Sequence, residues 1–254
     1  MKAVILAAGE GTRLRPYTLD RPKCLVEIDG VSLLDRQLNV LRSKGIEEIV
    51  LIGGYRADML EGKSTRLHVN ARYAETNMVS TLFSAETELR EDLILAYGDI
   101  VYSRQNLEKL LESTADIAVT VDLDWESYWC ERFENPLDDA ETLQIGSNNC
   151  IVEIGQKPTS IEQIQGQYMG LMKFSPQGLE ILSNTYHQAV YKGGIGGKSP
   201  EKASMTDLLQ LMIDEGNALS VVKVHGGWVE VDTVEDLNLQ LTHLRLSEFQ
   251  AINS

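Results

Sequence analysis

The chain opens on an uninterrupted apolar run, Ala3–Ala8, that breaks at once into Gly9, Glu10, Gly11 and Arg13. A run with no polar residue on either face suits a strand buried on both sides, the condition of a parallel sheet covered by helices. Such a strand cannot stand alone, so the chain must supply buried strands beside it and amphipathic helices over both faces. Ile49–Ile52, Leu93–Ala96 and Ile117–Val121 read as those strands. Between them, Ser32 is placed to cap a helix carrying Leu34, Leu38 and Leu41, with Gly45 just beyond its end. Asn77–Leu89 and Ser103–Glu112 also read as helices. Strands alternating with helices predict an α/β fold with a doubly wound, mostly parallel, Rossmann-like sheet.

After Val121 the alternation loosens. Cys150–Gly155 and Gln167–Phe174 read as antiparallel strands, Ser175-Pro176 opens a helix toward Ala189, and Gly193–Lys198 is a glycine-rich loop. Thr206–Glu215 reads as a short helix ended by Gly216, Val221–Val224 and Trp228–Val231 as strands, and Thr233-x-x-Asp236 as the start of the last helix. The expectation is one domain over residues 1–254, with a less regular second half.

Chemistry gathers in the turn after the first strand. Arg13, Arg15, Arg21 and Lys23 place four positive charges within eleven residues of a chain whose formal net charge is −15. Glycine-rich backbone lets N–H groups approach a phosphate, Arg offers a bidentate fork and Lys a point charge, so the composition is that of a polyphosphate cradle. A dinucleotide fingerprint would need glycine where Leu14 stands. A Walker A loop would need Gly-Lys-Ser/Thr, whereas Lys23 lies between Pro22 and Cys24. On charge clustering alone, a basic surface loop is the competing reading.

The segment from Gly9 to Lys23 resembles a longer signature, Gly-x-Gly-Thr-Arg-x-x-Pro-x-Thr-x-x-x-Pro-Lys. It belongs to the sugar-phosphate-type nucleotidylyltransferases, which activate phosphorylated small molecules with a nucleoside triphosphate. Gly9, Gly11, Thr12, Arg13, Pro16, Thr18, Pro22 and Lys23 match it without a gap. The resemblance continues through Gly54-Tyr55, Tyr97-Gly98-Asp99 and Glu230–Asp236. The Asn-rich stretch Tyr73–Leu82 is similar to the choline-phosphate and phosphonate cytidylyltransferase branch rather than to the sugar-phosphate one. The resemblance implies a nucleotide lying against Leu6, Ala7, Ala8, Gly9, Gly11, Thr12, Asn77, Ser80 and Gly98. It implies that Arg13 holds the triphosphate and that Lys23 bridges the α-phosphate and the acceptor phosphate. It divides the chain into a nucleotide-binding half (1–121), an acceptor-binding part (122–204) and a return to the sheet (205–254). Asn77 reads equally as a helix N-cap.

Asp99 follows a strand, and Asp232 ends another just before a helix. Taken alone, such an Asp is more often a cap or turn residue; the family match makes Asp99 and Asp232 the expected catalytic carboxylates. Two carboxylates at strand ends suit Mg²⁺, which takes few protein oxygens and fills its shell with phosphates and water. Trp125, Tyr128 and Trp129 stand beside Asp122, Asp124, Glu126 and Glu131, and aromatic faces next to acids suit a cationic headgroup. The competing reading packs Trp125 and Trp129, at i and i+4, against the sheet. Asp122, Trp125, Tyr128, Trp129, Lys157 and Glu230 are therefore the expected acceptor contacts, Lys157 by resemblance to a Glu-Lys-Pro element in which Gln156 replaces the acid. Lys198 reads as part of a lid or a plain loop, with a phosphate contact as the alternative.

The expected activity is that of a nucleotidyltransferase of the EC 2.7.7 type. It would be a Mg²⁺-dependent cytidylyltransferase moving CMP from CTP to a phosphorylated or phosphonylated, amine-like, phosphocholine-like acceptor, with release of pyrophosphate. A sugar-1-phosphate nucleotidylyltransferase is the alternative, and a nucleotide-sensing module the rival of another class. A net charge of −15 argues against nucleic acid or an anionic membrane as partner. Cys24, Cys130 and Cys150 are widely spaced and read as reduced thiols of a cytoplasmic protein. The resemblance leaves room for a homodimer.

Overall fold

The computed structural model describes residues 1–251. Seven strands form the central sheet: β1 (Lys2–Ala7), β2 (Ile49–Gly53), β3 (Arg66–Val69), β4 (Leu93–Tyr97), β5 (Ile117–Asp122), β6 (Gln167–Phe174) and β7 (Ser220–Val224). Their spatial order is β7-β5-β6-β4-β1-β2-β3. β1 lies at the heart of the sheet, parallel to β2 and β4, with every residue buried. Its pleat divides the core: Ala3, Ile5 and Ala7 face one layer, with Leu34, Leu38 and Leu41, while Val4 and Leu6 face the other, with Val79 and Leu82. The doubly wound, mostly parallel sheet is as the apolar runs predicted.

The sheet departs from the sequence reading at its edge and at its middle. β3 escaped notice because Arg-Leu-His-Val is a half-exposed edge strand with no apolar run. β6 is antiparallel, as expected, but it is wedged between β4 and β5 and buried throughout. The helix expected over Asn77–Leu89 ends at Phe83 and resumes only as a 3₁₀ turn at Glu86–Glu88. The caps fall as predicted: the Ser32 side chain accepts from Asp35 N at 3.0 Å, and Thr233 and Asp236 form a reciprocal capping box.

A small ribbon outside the main sheet positions the site. Ile100–Tyr102 pairs antiparallel with Trp228–Glu230, and Val231 N extends the pairing to Asp99 O at 3.0 Å. Asp99 and Asp232, 133 positions apart in sequence, thus leave the same end of one ribbon. Among the described residues no helix is long and apolar enough to cross a membrane.

Candidate active site

The turn after β1 folds back on itself. Gly11 has φ 63°, in the left-handed region, and a Cβ there would meet Lys23 Cβ at 3.0 Å. Thr18 Oγ1 donates to Gly11 O at 2.7 Å and holds the loop closed. Lys23 is thereby aimed between the ribbon's two carboxylates, donating to Asp99 Oδ2 at 2.7 Å and Asp232 Oδ1 at 2.5 Å. The Arg13 guanidinium pairs with the other oxygen of Asp232. Burial alone would lower the Lys23 pKa, but Asp99 and Asp232 together outweigh it and hold the ammonium charged well above its ordinary range. Gly98 completes the close approach: its N–H donates to Leu6 O at 2.9 Å, and a Cβ would stand 2.7 Å from that oxygen.

Two chambers open on either side of this cluster. The first, about 650 Å³, runs over the end of β1 from Leu6 to Gly9 and is closed by Tyr73, Asn77, Met78, Thr81 and Tyr97–Asp99. The second, about 720 Å³, has Arg13, Glu230 and Asp232 at its inner end, Trp129, Tyr168 and Trp228 as aromatic walls, and Glu141, Gln167, Ser204 and Thr206 beyond. Met78 and Tyr97 belong to both and form the party wall. Glu230 is bound by Arg132 at 2.6 Å, yet its carboxyl is held above the ordinary glutamate range. Burial is the main cause; Arg132 pulls the other way, and the negative charges of Asp99 and Asp232 add to the rise.

The structure brings together most of the expected residues and sends others elsewhere. Leu6, Ala7, Ala8, Gly9, Lys23, Asn77, Gly98 and Asp99 line the first chamber; Arg13, Trp129, Glu230 and Asp232 line the second. Gly11 and Thr12 shape the turn without lining either. Ser80 opens onto a different groove with Phe83 and Tyr186. Asn77 is the helix cap, accepting from Met78 N at 2.8 Å, and it lines the chamber as well.

Four expected acceptor contacts are corrected. Asp122 is fully buried and accepts from Trp228 Nε1 at 2.8 Å, Gly226 N at 2.8 Å and Asp124 N at 3.0 Å, which spends its oxygens on the ribbon. Trp125 is buried behind Trp129 in an edge-to-face contact at 6.3 Å. Tyr128 sits behind Glu230, accepting from its N–H at 3.0 Å, with Arg245 4.1 Å from the ring centre. Lys157 donates to the Asp138 carbonyl at 2.6 Å and does not itself line the chamber, although the neighbouring Asp139 does. Lys198, left open above, is held by Asp207 at 2.7 Å. Glu141, Gln167, Tyr168 and Trp228 were missed, since no motif or spacing links them before the chain folds.

A divalent cation fits this donor set. Asp99 Oδ1 is buried and has no hydrogen-bond partner, and the gap between Asp99 and Asp232 is already a place where a positive charge rests, here the Lys23 ammonium. Among the described residues no cluster of three or more His, Cys, Asp or Glu is arranged around a metal, so substrate oxygens would complete the shell.

Residues 3–143 match the MobA-like NTP transferase domain. The chain is 38% identical over 252 residues to the CTP:phosphoglutamine cytidylyltransferase of Campylobacter jejuni, covering 95% of this chain and 99% of that one. It is 37% identical over 118 residues to the choline-phosphate cytidylyltransferase of Streptococcus pneumoniae, covering 45% and 52%. In fold it is similar to the inositol-1-phosphate CTP transferase of T. maritima, with a TM-score of 0.77 at 22% identity, covering 98% and 96%.

Proposed function

The chain belongs to the MobA-like NTP transferase family, and on that footing we propose that it transfers CMP from CTP to a small phosphorylated acceptor bearing an amine, releasing pyrophosphate. The observation that carries the reading is the end-to-end similarity to a CTP:phosphoglutamine cytidylyltransferase, joined to two chambers that meet at the Lys23–Arg13–Asp99–Asp232 cluster. CTP occupies the first chamber with its phosphates toward Lys23, and the acceptor phosphate enters from the second.

An acceptor phosphate oxygen attacks the α-phosphorus in line; the bond from that phosphorus to the bridging oxygen breaks, and the electron pair leaves with pyrophosphate. No side-chain base is required, because a phosphate dianion is already nucleophilic. The barrier is electrostatic: two anions must approach while charge moves onto the leaving group. Lys23 and Arg13 offset that repulsion from opposite sides of Asp232. Asp99 and Asp232 would hold Mg²⁺, which supplies further charge neutralisation at the α-phosphate when bound. Gly98 and Gly11 keep the backbone low enough for the triphosphate to lie against β1.

The test is pyrophosphate release from each of four nucleoside triphosphates with phosphoglutamine, phosphocholine, phosphoethanolamine, aminoethylphosphonate and hexose-1-phosphates, with and without Mg²⁺. CTP with an amine-bearing acceptor is expected to be fastest. A preference for a hexose-1-phosphate, or for another nucleotide, would overturn the assignment.

A further inference from the structure

The second chamber holds an acid with which no cation of the described residues is paired. Among the acids on its wall, Asp232 is paired with Lys23 and Arg13, and Glu230 with Arg132. Glu141 has no ion-pair partner among the described residues; its side chain accepts only from Thr206 Oγ1, at 3.3 Å. Lys198, whose charge reaches Glu141, is committed to Asp207 at 2.7 and 2.9 Å. Asp139 adds a second acid to the wall, again without an ion-pair partner among the described residues. Independently, Gln167 lines the same chamber at 6% exposure, and its side-chain oxygen is buried with no donor to meet it.

Glu141 and Asp139 are half-buried, and a carboxylate drawn partly out of water is ordinarily paired, because the lost solvation is costly unless a counter-charge replaces it. Here the missing groups are one positive charge and one N–H, on a wall that also carries Tyr97, Trp129, Tyr168 and Trp228. A protonated amine supplies both, a quaternary ammonium supplies the charge alone, and aromatic faces favour either. A hydroxyl could satisfy Gln167 but not the charge on Glu141. We propose that Glu141 and Gln167, supported by Asp139, form a subsite for the ammonium group of the acceptor. This subsite, to whose wall the helix Trp125–Arg132 contributes Trp129, makes the enzyme choose an amine-bearing phosphate over a neutral one. The inference rests on the reaction proposed above and adds the residues that choose its acceptor.

The experiment pairs each charged acceptor with a neutral counterpart: phosphocholine with 3,3-dimethylbutyl phosphate, and phosphoglutamine with its desamino analogue. In the full-length enzyme, Glu141→Gln is expected to raise KM for the ammonium-bearing member roughly 10- to 100-fold. The KM for CTP and for the neutral member should not change. Glu141→Asp, which keeps the charge, should retain part of the preference, and Gln167→Leu should weaken phosphoglutamine but not phosphocholine, whose nitrogen has no N–H to donate. An equal effect of Glu141→Gln on both members of a pair, or none on either, overturns the subsite and leaves the reaction standing. Failure of the wild-type enzyme to use CTP with any of the four acceptors overturns the reaction, and the subsite with it.

Discussion

Two residues carry opposite charge problems. Lys23 is a largely shielded cation with two anionic partners, and in the proposed reaction Lys23→Ala removes a donor that matters most when phosphate meets phosphate. Turnover should fall roughly 10²-fold or more, while calorimetry should show CTP binding far less affected; turnover near the wild-type level would remove Lys23 from the mechanism. Glu141 is the reverse, an acid without a cation. Burial raises its pKa against the lowering effect of the Thr206 hydrogen bond, with Asp207 and Asp139 adding to the rise and Lys198 opposing it. A carboxyl whose folded pKa lies above its unfolded value contributes stability at low pH and loses it as pH rises through the folded pKa. Without substrate, Glu141→Gln should therefore melt higher than wild type at neutral pH, and the difference should vanish below pH 4.5, the ordinary glutamate value. Equal melting temperatures across that range would contradict the unpaired charge. Lys23 was readable from its motif. Glu141 was not, because its meaning lies in the absence of a partner, and absence is visible only after the chain has folded around it.

At the scale of elements, the ribbon of Ile100–Tyr102 and Trp228–Glu230 fixes the distance between Asp99 and Asp232, the carboxylates proposed to be catalytic. Asp122, at the end of β5, ties the ribbon down through Trp228 Nε1 and Gly226 N. Asp122→Ala would leave both donors without an acceptor and should cost about 2–4 kcal/mol of stability. Because the ribbon carries Asp99 on one strand and Asp232 after the other, the kinetic constants for both substrates should worsen together. A change confined to the acceptor KM would return Asp122 to the role its sequence neighbourhood implied. That neighbourhood misled for a physical reason: aromatic and acidic side chains at helical spacing read alike whether the helix faces a ligand or the core. Buried strands, by contrast, announce themselves, and β1, β2, β4 and β5 were all legible as apolar runs. β3 was not, since its exposed side leaves Arg66 and His68 in the pattern.

At the scale of the molecule, the chain crosses between its halves more than once. β6 lies between β4 and β5, and β7 extends the sheet beyond β5, so the later strands complete the earlier ones. A fragment ending at residue 143, where the family match stops, would leave β4 and β5 with bare edges of unpaired N–H and C=O groups. It should aggregate or lack a cooperative melting transition, whereas the whole chain should unfold in one step by circular dichroism and tryptophan fluorescence alike. A soluble fragment with a sharp transition would instead divide the chain into two folding units. The party wall of Met78 and Tyr97 has a consequence of its own. Side chains that face two substrates are settled by whichever arrives first, so the second ligand meets a surface whose ordering has already been done. Detailed balance makes that favour mutual: the factor by which CTP tightens acceptor binding must equal the factor by which acceptor tightens CTP. Calorimetric titration of each ligand with the other present, a CTP analogue that cannot be cleaved between the α- and β-phosphates standing in for CTP, should return one shared factor greater than unity, and a value of one would mean that the two compartments keep separate accounts.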